Sequence, residues 1–418
     1  MQRLLFAGFL VVLAAACGPN PQAPVQVMAL VNKTAKGYEP TQVELKTLHD
    51  VVAMKGDVAT FIGGAHITLA DDDPAIAVPL GDDQFAAAIV KNKGGDVHAS
   101  FIEKDHILWP ADFHTWNMVT LYFNIEKTTE YFQANGATAT ELGAIPIYYF
   151  PEYRVGSVIS NPTKDNAFYL APLHGMLILP FDKFQDTPLA MAQTVISHEY
   201  SHSVFNKRVF QDQGQINAYG VWAAGGVPGA TNAMKSLDEG LADFHAYGAS
   251  CRSSAGCNPN LYSKVLPDSL ASARELAHAD RCLSTVDRQS KLETMDSQTF
   301  IQNGYLYQVG TVIASSLYQA AEKTGQRDEL EKNILAAYTD TTAATPGFAE
   351  IVAQNLNTPA ELTLEEIADV MLSHVSDPTL KKQLCNELWG RLKLNIDATH
   401  VQHCPIGAAP VTDCGQVP

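Results

Sequence analysis

His198-Glu199-Tyr200-Ser201-His202 sets two imidazoles four residues apart, with a carboxylate directly after the first. On an α-helix a step of four residues turns about 400°, so both rings leave nearly the same face and can grip one cation. Glu199 stands about 100° round from His198. From there it is poorly placed to ligate and well placed to take a proton from a water on the ion. The pattern points to zinc and to hydrolysis. Asp186-Thr187-Pro188 precedes it, with Thr187 as the expected N-cap and Pro188 at the first helical position. Residues 189–210 hold no Gly or Pro, so one long helix is expected to carry the motif.

A tetrahedral catalytic zinc takes three protein ligands, so a third donor must come from elsewhere. Glu239 is the candidate, in Leu237-Asp238-Glu239-Gly240-Leu241-Ala242-Asp243, which opens a second helical pattern reaching Tyr247. Before it lies a Gly- and Ala-rich stretch, 214–229, that reads as a loop. Glu239 and Asp243 are four apart and share a face, so one can bind the ion while the other accepts a hydrogen bond from a ligand imidazole. A solvated acidic helix face is the alternative. Leu237, Leu241, Phe244 and Tyr247 weigh against it, because they leave little of this helix for water.

HEYSH followed by DEGLAD resembles the gluzincin metallopeptidases, particularly thermolysin and fungalysin relatives, whose pattern is HExxH and then ExxxD on a downstream helix. The resemblance implies a zincin-like catalytic domain. It implies His198, His202 and Glu239 as zinc ligands, Glu199 as general base, and Asp238 and Asp243 as partners of the two histidines. Asn166-Ala167-Phe168-Tyr169, followed by the strand-like stretch 175–180, is similar to the family's substrate-binding edge strand, where Asn166 and Ala167 would pair with an extended peptide. Residues 116–132 are similar to the helix that opens such domains. The likeness covers roughly residues 110–320. Two departures stand out: a longer loop between His202 and Glu239 than in thermolysin, and no downstream histidine as transition-state donor. Tyr307 takes that histidine's place in Tyr307-Gln308-Val309-Gly310, and its hydroxyl is the preferred oxyanion stabiliser, with Tyr305, Tyr219 and His174 as alternatives.

The N-terminus reads as an export signal over 1–16, with Arg3 ahead of an apolar run too short for a usual membrane span. Leu13-Ala14-Ala15-Ala16-Cys17-Gly18 resembles a bacterial lipobox, which implies lipid attachment at Cys17 and a membrane anchor; Ala14 departs from the usual Leu. Plain secretion is the alternative. Pro19, Pro21 and Pro24 make 17–27 a tether. Six cysteines remain beyond Cys17, an even number that suits an oxidising compartment, with Cys251 and Cys257 placed to pair locally and Cys385, Cys404 and Cys414 placed to staple the C-terminal end.

A formal charge of −17 disfavours nucleic acid as a partner. Asp71-Asp72-Asp73 with Asp82-Asp83 is the one cluster that could draw calcium, but it lacks EF-hand spacing and reads as a solvated loop. Short apolar runs between Gly, Asp and Pro turns make 28–108 a β-rich region. Residues 109–250 are expected to form the α+β subdomain. The remainder, 251–418, is expected to be mainly helical, over 327–337, 346–356, 364–375 and 380–394. The fold expected is α+β. The function expected is zinc-dependent hydrolysis of a peptide or protein substrate. The rivals are a catalytically degenerate zincin-fold surface lipoprotein acting in binding or adhesion, and a zinc hydrolase acting on something other than peptides.

Overall fold

A computed structural model describes residues 23–34, 37–69, 81–155, 164–181, 188–252, 256–263, 265–266, 268–278, 281–339, 341–342, 345–396 and 401–412. The signal and lipidation site at Cys17, Asp71 to Asp73, Thr187 and Cys414 lie outside these. The architecture is mixed α and β, with a β-rich N-terminal region and a helical C-terminal one. Among the described residues no helix is long and apolar enough to cross a membrane.

The central sheet has seven strands. Its path runs from Ala167–Leu170 at one edge through Gly175–Ile178, Ile145–Tyr149, Ala59–Gly63 and Lys55–Gly56 to Leu48–Asp50, with Gly95–Asp96 also paired to Ala59–Gly63. Ile145–Tyr149 lies between two parallel partners, while Ala167–Leu170 runs antiparallel to its neighbour. Residues on either side of position 108 therefore share one sheet. The strands alternate as half-buried strands must: Ile147, Met176 and Ile178 enter the main core, whereas Tyr148, Leu177 and Leu179 face a smaller cluster with Ile67, Ile89 and Tyr153. The hairpin Val25–Thr34 and Gly37–Leu45 is tied back as well, because buried Glu126 accepts from the amides of Lys46 and Thr47 at 2.9 and 3.0 Å.

Helix Phe113–Ala134 starts at Asp112, whose side chain accepts from the amide of Thr115 at 2.9 Å. It packs on helix Gln193–Phe205, which carries the HEYSH segment. That helix begins later than the sequence implies. Pro188 has φ −56° and ψ 135°, Leu189–Met191 form a 3₁₀ turn, and Ala192 is extended. The carbonyl of Met191 is held by Asn124 Nδ2 at 3.3 Å, a tertiary tie that no local propensity reports. Past Phe205 the chain continues as a π-helical turn, Asn206–Phe210.

The stretch 214–229 is not a loop throughout: Gln215–Ala224 is a helix. Asp82 explains both this and the misreading of its own cluster. Far from solvated, it is buried and accepts from the amides of Gln215, Ile216 and Asn217 at 3.1, 2.8 and 3.4 Å, satisfying a helix start 133 residues away.

The long helix Pro228–Cys251 has Pro at its first position. It lies between Gln193–Phe205 and Tyr305–Thr324. Arg327–Ala336, Phe348–Asn357, Leu364–His374 and Pro378–Leu392 complete the helical half, close to the sequence expectation. Cys251 pairs with Cys257 and Cys385 with Cys404.

Candidate metal centre

Two helices and one sheet edge build the site. Gln193–Phe205 is buried on nearly every side around the motif, with Val195, Ile196, Tyr200 and Val204 in the core, so its imidazoles have little freedom. The helix Pro228–Cys251 is pressed against Tyr305–Thr324 where two glycines meet. A Cβ on Gly240 would lie 2.6 Å from the carbonyl of Gly310, and one on Gly310 would lie 2.9 Å from the Cβ of Glu239. This backbone-to-backbone approach fixes the height at which Glu239 faces the histidines.

His198, His202 and Glu239 converge, each offering an atom within 4.8 Å of the others. His198 Nε2 and His202 Nε2 are 3.0 Å apart, Glu239 Oε2 is 3.3 Å from His198 Nε2, and Glu239 Oε1 is 3.9 Å from His202 Nε2. Donors held about 2.0–2.1 Å from a tetrahedral zinc stand about 3.3 Å from one another, so the observed triangle fits such an ion. The far sides of the rings strengthen the case. His202 Nδ1 is hydrogen-bonded to Asp238 Oδ1 at 2.7 Å, and His198 Nδ1 lies 2.9 Å from Asp243 Oδ1. With the Nδ1 of His202 bonded to a carboxylate and that of His198 beside one, the two Nε2 atoms face each other at 3.0 Å, which is repulsive until a cation sits between them or a ring takes a proton. Burial alone would hold His198 neutral, yet Asp243, Glu239 and Glu199 push its pKa up to about 10; His202 is raised likewise, against burial, by Asp238.

Charge points the same way. Glu199, Asp238, Glu239 and Asp243 are four carboxylates gathered around Arg274 and Lys235, an excess of acid that a divalent ion would offset. Arg274 Nη2 lies 2.9 Å from Asp243 Oδ1 and 3.3 Å from Glu239 Oε2, and the Tyr262 hydroxyl donates to Asp243 Oδ1 at 2.8 Å. The acids behind the ligands are thus themselves held in place.

Glu199 is buried at the motif and accepts from the Tyr169 amide at 2.8 Å. Burial pushes its carboxyl above the usual range, against the pull of the two histidines. In strand Ala167–Leu170 the ladder to Gly175–Ile178 alternates, so Ala167 and Tyr169 turn their main-chain groups to the open edge. The Ala167 amide is met by Asn166 Oδ1 at 3.0 Å. The sheet edge therefore forms one wall of a cavity of about 290 Å³ above the His-His-Glu group, lined also by Leu189, Val195, Gln215, Lys235 and Tyr307.

Tyr307, in the first turn of Tyr305–Thr324, lines this cavity and is partly exposed, with the Arg274 guanidinium 4.7 Å from its ring centre. The Glu239 carboxylate, then burial, raises its hydroxyl above the ordinary value, which keeps it a donor. Of the alternatives, Tyr305 packs on Phe300 under Lys291, Tyr219 lies beneath Lys235, and His174 closes a 3₁₀ turn; none of these three lines the cavity. Sequence reasoning missed Arg274, Tyr262 and Lys235. The first two come from the irregular region after Cys251, where no periodicity marks a position. Lys235 was legible in principle: it precedes Asp238 and Glu239 by three and four residues, the spacing of same-face neighbours.

No protein-family model matches this chain, and no curated protein matches it either.

Proposed function

We propose that this chain is a zinc-dependent metallopeptidase of the gluzincin kind. One observation carries the reading: two imidazoles and Glu239 meet within 4.8 Å in a cavity lined also by a strand edge whose Tyr169 amide is bonded to Glu199. A bound zinc ion would be held by His198, His202 and Glu239 and would supply Lewis acidity to a water and to a substrate carbonyl. Everything else falls to the chain. With the amides of Ala167 and Tyr169 held by Asn166 Oδ1 and Glu199 Oε2, the carbonyls of this edge orient an extended peptide by accepting from its main chain, which favours peptides over other hydrolysable substrates. Glu199, with Oε2 fixed by the Tyr169 amide, takes the proton from the attacking water on Oε1 and passes it to the departing amine; its raised pKa makes it a better base than a solvated carboxylate. Tyr307 donates to the carbonyl oxygen as charge gathers there.

Intact Glu199 sets this reading above a degenerate binding protein, because loss of that carboxylate is the simplest route to inactivity. The cysteine pairs support an exported chain in an oxidising compartment, and the proposed location is the bacterial envelope, anchored through Cys17. Peptide-library digestion by wild type and by Glu199→Gln, with zinc content measured on both, tests the activity. The variant should retain about one zinc per chain and lose cleavage by a factor of roughly 10² to 10⁴. Equal cleavage by the two proteins would exclude Glu199 as the base.

A further inference from the structure

Lys235 is the one cation of the cavity that the chemistry above does not use. It sits one turn before Glu239 on the helix Pro228–Cys251, on the side of Asp238 and His202, whereas Arg274 sits on the side of Asp243 and His198. Its ammonium lies 4.3 Å from the centre of the Tyr219 ring. Among the described residues it has no hydrogen bond and no carboxylate within ion-pair distance, although it lines the cavity and is largely withdrawn from water. Burial lowers its pKa, against the opposing pull of Asp238 and Glu239. An aromatic face steadies a cation but accepts none of its three hydrogen bonds. A strongly hydrated ammonium kept in that state has an unmet need for acceptors. Asp238, whose Oδ1 is bonded to His202 Nδ1, makes neither a hydrogen bond nor an ion pair with it.

We infer that Lys235, seated on Tyr219, is the specificity determinant of the cleft and receives a carboxylate of the peptide substrate. This rests on the peptidase reading and names the class of substrate: peptides carrying an acidic side chain, or a free C-terminal carboxylate, at the position that reaches the Asp238 side of the site. The formal charge of −17 makes the protein as a whole repel such a substrate, so the selectivity must be local. A charge pair formed in a partly desolvated pocket supplies it, and removing one member of such a pair costs more than tenfold in affinity.

The test uses the full-length zinc-loaded protein and peptides blocked at both ends, each carrying Glu or Gln at one scanned position, with a parallel set that differs only in a free or amidated C-terminus. The readout is the ratio of kcat/KM for the acid over its neutral isostere, in which any change in metal content cancels. Wild type should favour the carboxylate at one position by about tenfold or more. Lys235→Met should bring that ratio close to one, and Lys235→Glu should turn it below one, so that Gln is favoured over Glu there. The blocked set shows whether the carboxylate is a side chain, and the parallel set whether it is the terminus. Wild-type cleavage with no preference for acid, or a preference that survives Lys235→Met, overturns the inference and leaves the peptidase intact. No cleavage of any peptide by wild type overturns the peptidase reading, and this inference with it.

Discussion

Two imidazoles buried against the same long helix have opposite fates. His198, facing Glu239 and Asp243, is driven up to about 10, while His245, two residues beyond Asp243, is driven down to about 3 by burial and by the charge of Arg208. Both are shut off from solvent. His245 packs among Phe132, Phe244 and Tyr338 and meets one polar atom, the Tyr131 hydroxyl at 2.8 Å from Nδ1. Burial by itself therefore makes a neutral core histidine. Only where carboxylates converge does the surrounding field call for a cation, and that separates the candidate metal centre from a packing site in this protein.

The sharpest way to break the comparison is to delete a histidine from each end. His202→Ala should release the metal, taking zinc content from about one ion per chain to near none and abolishing cleavage. His245→Ala should keep its zinc and lose about 3 kcal/mol of folding stability from the cavity it leaves. Metal analysis beside chemical denaturation separates them. Stoichiometric zinc in purified His202→Ala would remove the proposed ligand set.

Next in size is the carboxylate beside His245. Glu331 has no exposed side-chain surface, and burial raises its pKa to about 7, although Arg327 Nε stands 3.3 Å from Oε1. A Cβ at Gly248 would meet both this carboxylate and the Tyr131 hydroxyl, so Glu331 belongs to the His245 neighbourhood. Its folded pKa lies above the ordinary 4.5, so its stabilising contribution is whole below pH 4.5 and is lost as the pH climbs to about 7. The loss is about 3 kcal/mol. His245 works in the opposite sense, losing stability as the pH falls from 6.5 toward 3. Taking the difference between wild type and Glu331→Gln removes the histidine's share. Relative to the variant, wild type should be about 3 kcal/mol less stable at pH 8 than at pH 4.5 by urea denaturation. A difference independent of pH would mean that Glu331 ionises freely.

Behind the ligands the effects shrink. Asp238 fixes the tautomer of His202 through its 2.7 Å bond. Asp238→Asn should weaken zinc affinity by about 10- to 100-fold without removing the ion at saturating zinc. Competition against a chelator of known strength measures it, and unchanged affinity would show that His202 needs no such partner.

Legibility followed the range of the interactions. The pentapeptide and DEGLAD announce themselves because one helical turn encodes their geometry, and the C-terminal helices from Arg327–Ala336 onward were legible because each buries a periodic face and ends at a clear break. The helix Gln215–Ala224 was not, since its start is satisfied by Asp82 from across the chain. Nor was the late start at Gln193, which depends on Asn124. The strands around residues 59–63 were visible as strands, but their membership in the same sheet as Ala167–Leu170 is tertiary and leaves no local mark. Arg274 was invisible for the same reason.

The smallest effect expected tests what sets the height of Glu239. Gly310 has no catalytic atom, yet a methyl group there would come within 2.9 Å of the Glu239 Cβ and of the Ser236 carbonyl, and within 3.0 Å of the Gly240 amide nitrogen. Neither backbone atom can yield alone, so the helices Pro228–Cys251 and Tyr305–Thr324 must part slightly. Glu239 rides on the first and Tyr307 on the second. His198 and His202 stand on a third helix and stay where they are. Gly310→Ala should therefore loosen one ligand of three, lowering zinc affinity by about tenfold, comparable with the loss of an outer partner. The His245 neighbourhood, two turns further along the same helix, should keep its packing, and the pH dependence assigned to Glu331 should be unchanged. Loss of that pH dependence together with the zinc would mean that the helix moves as one rigid piece, and that the metal centre and the packing site are coupled.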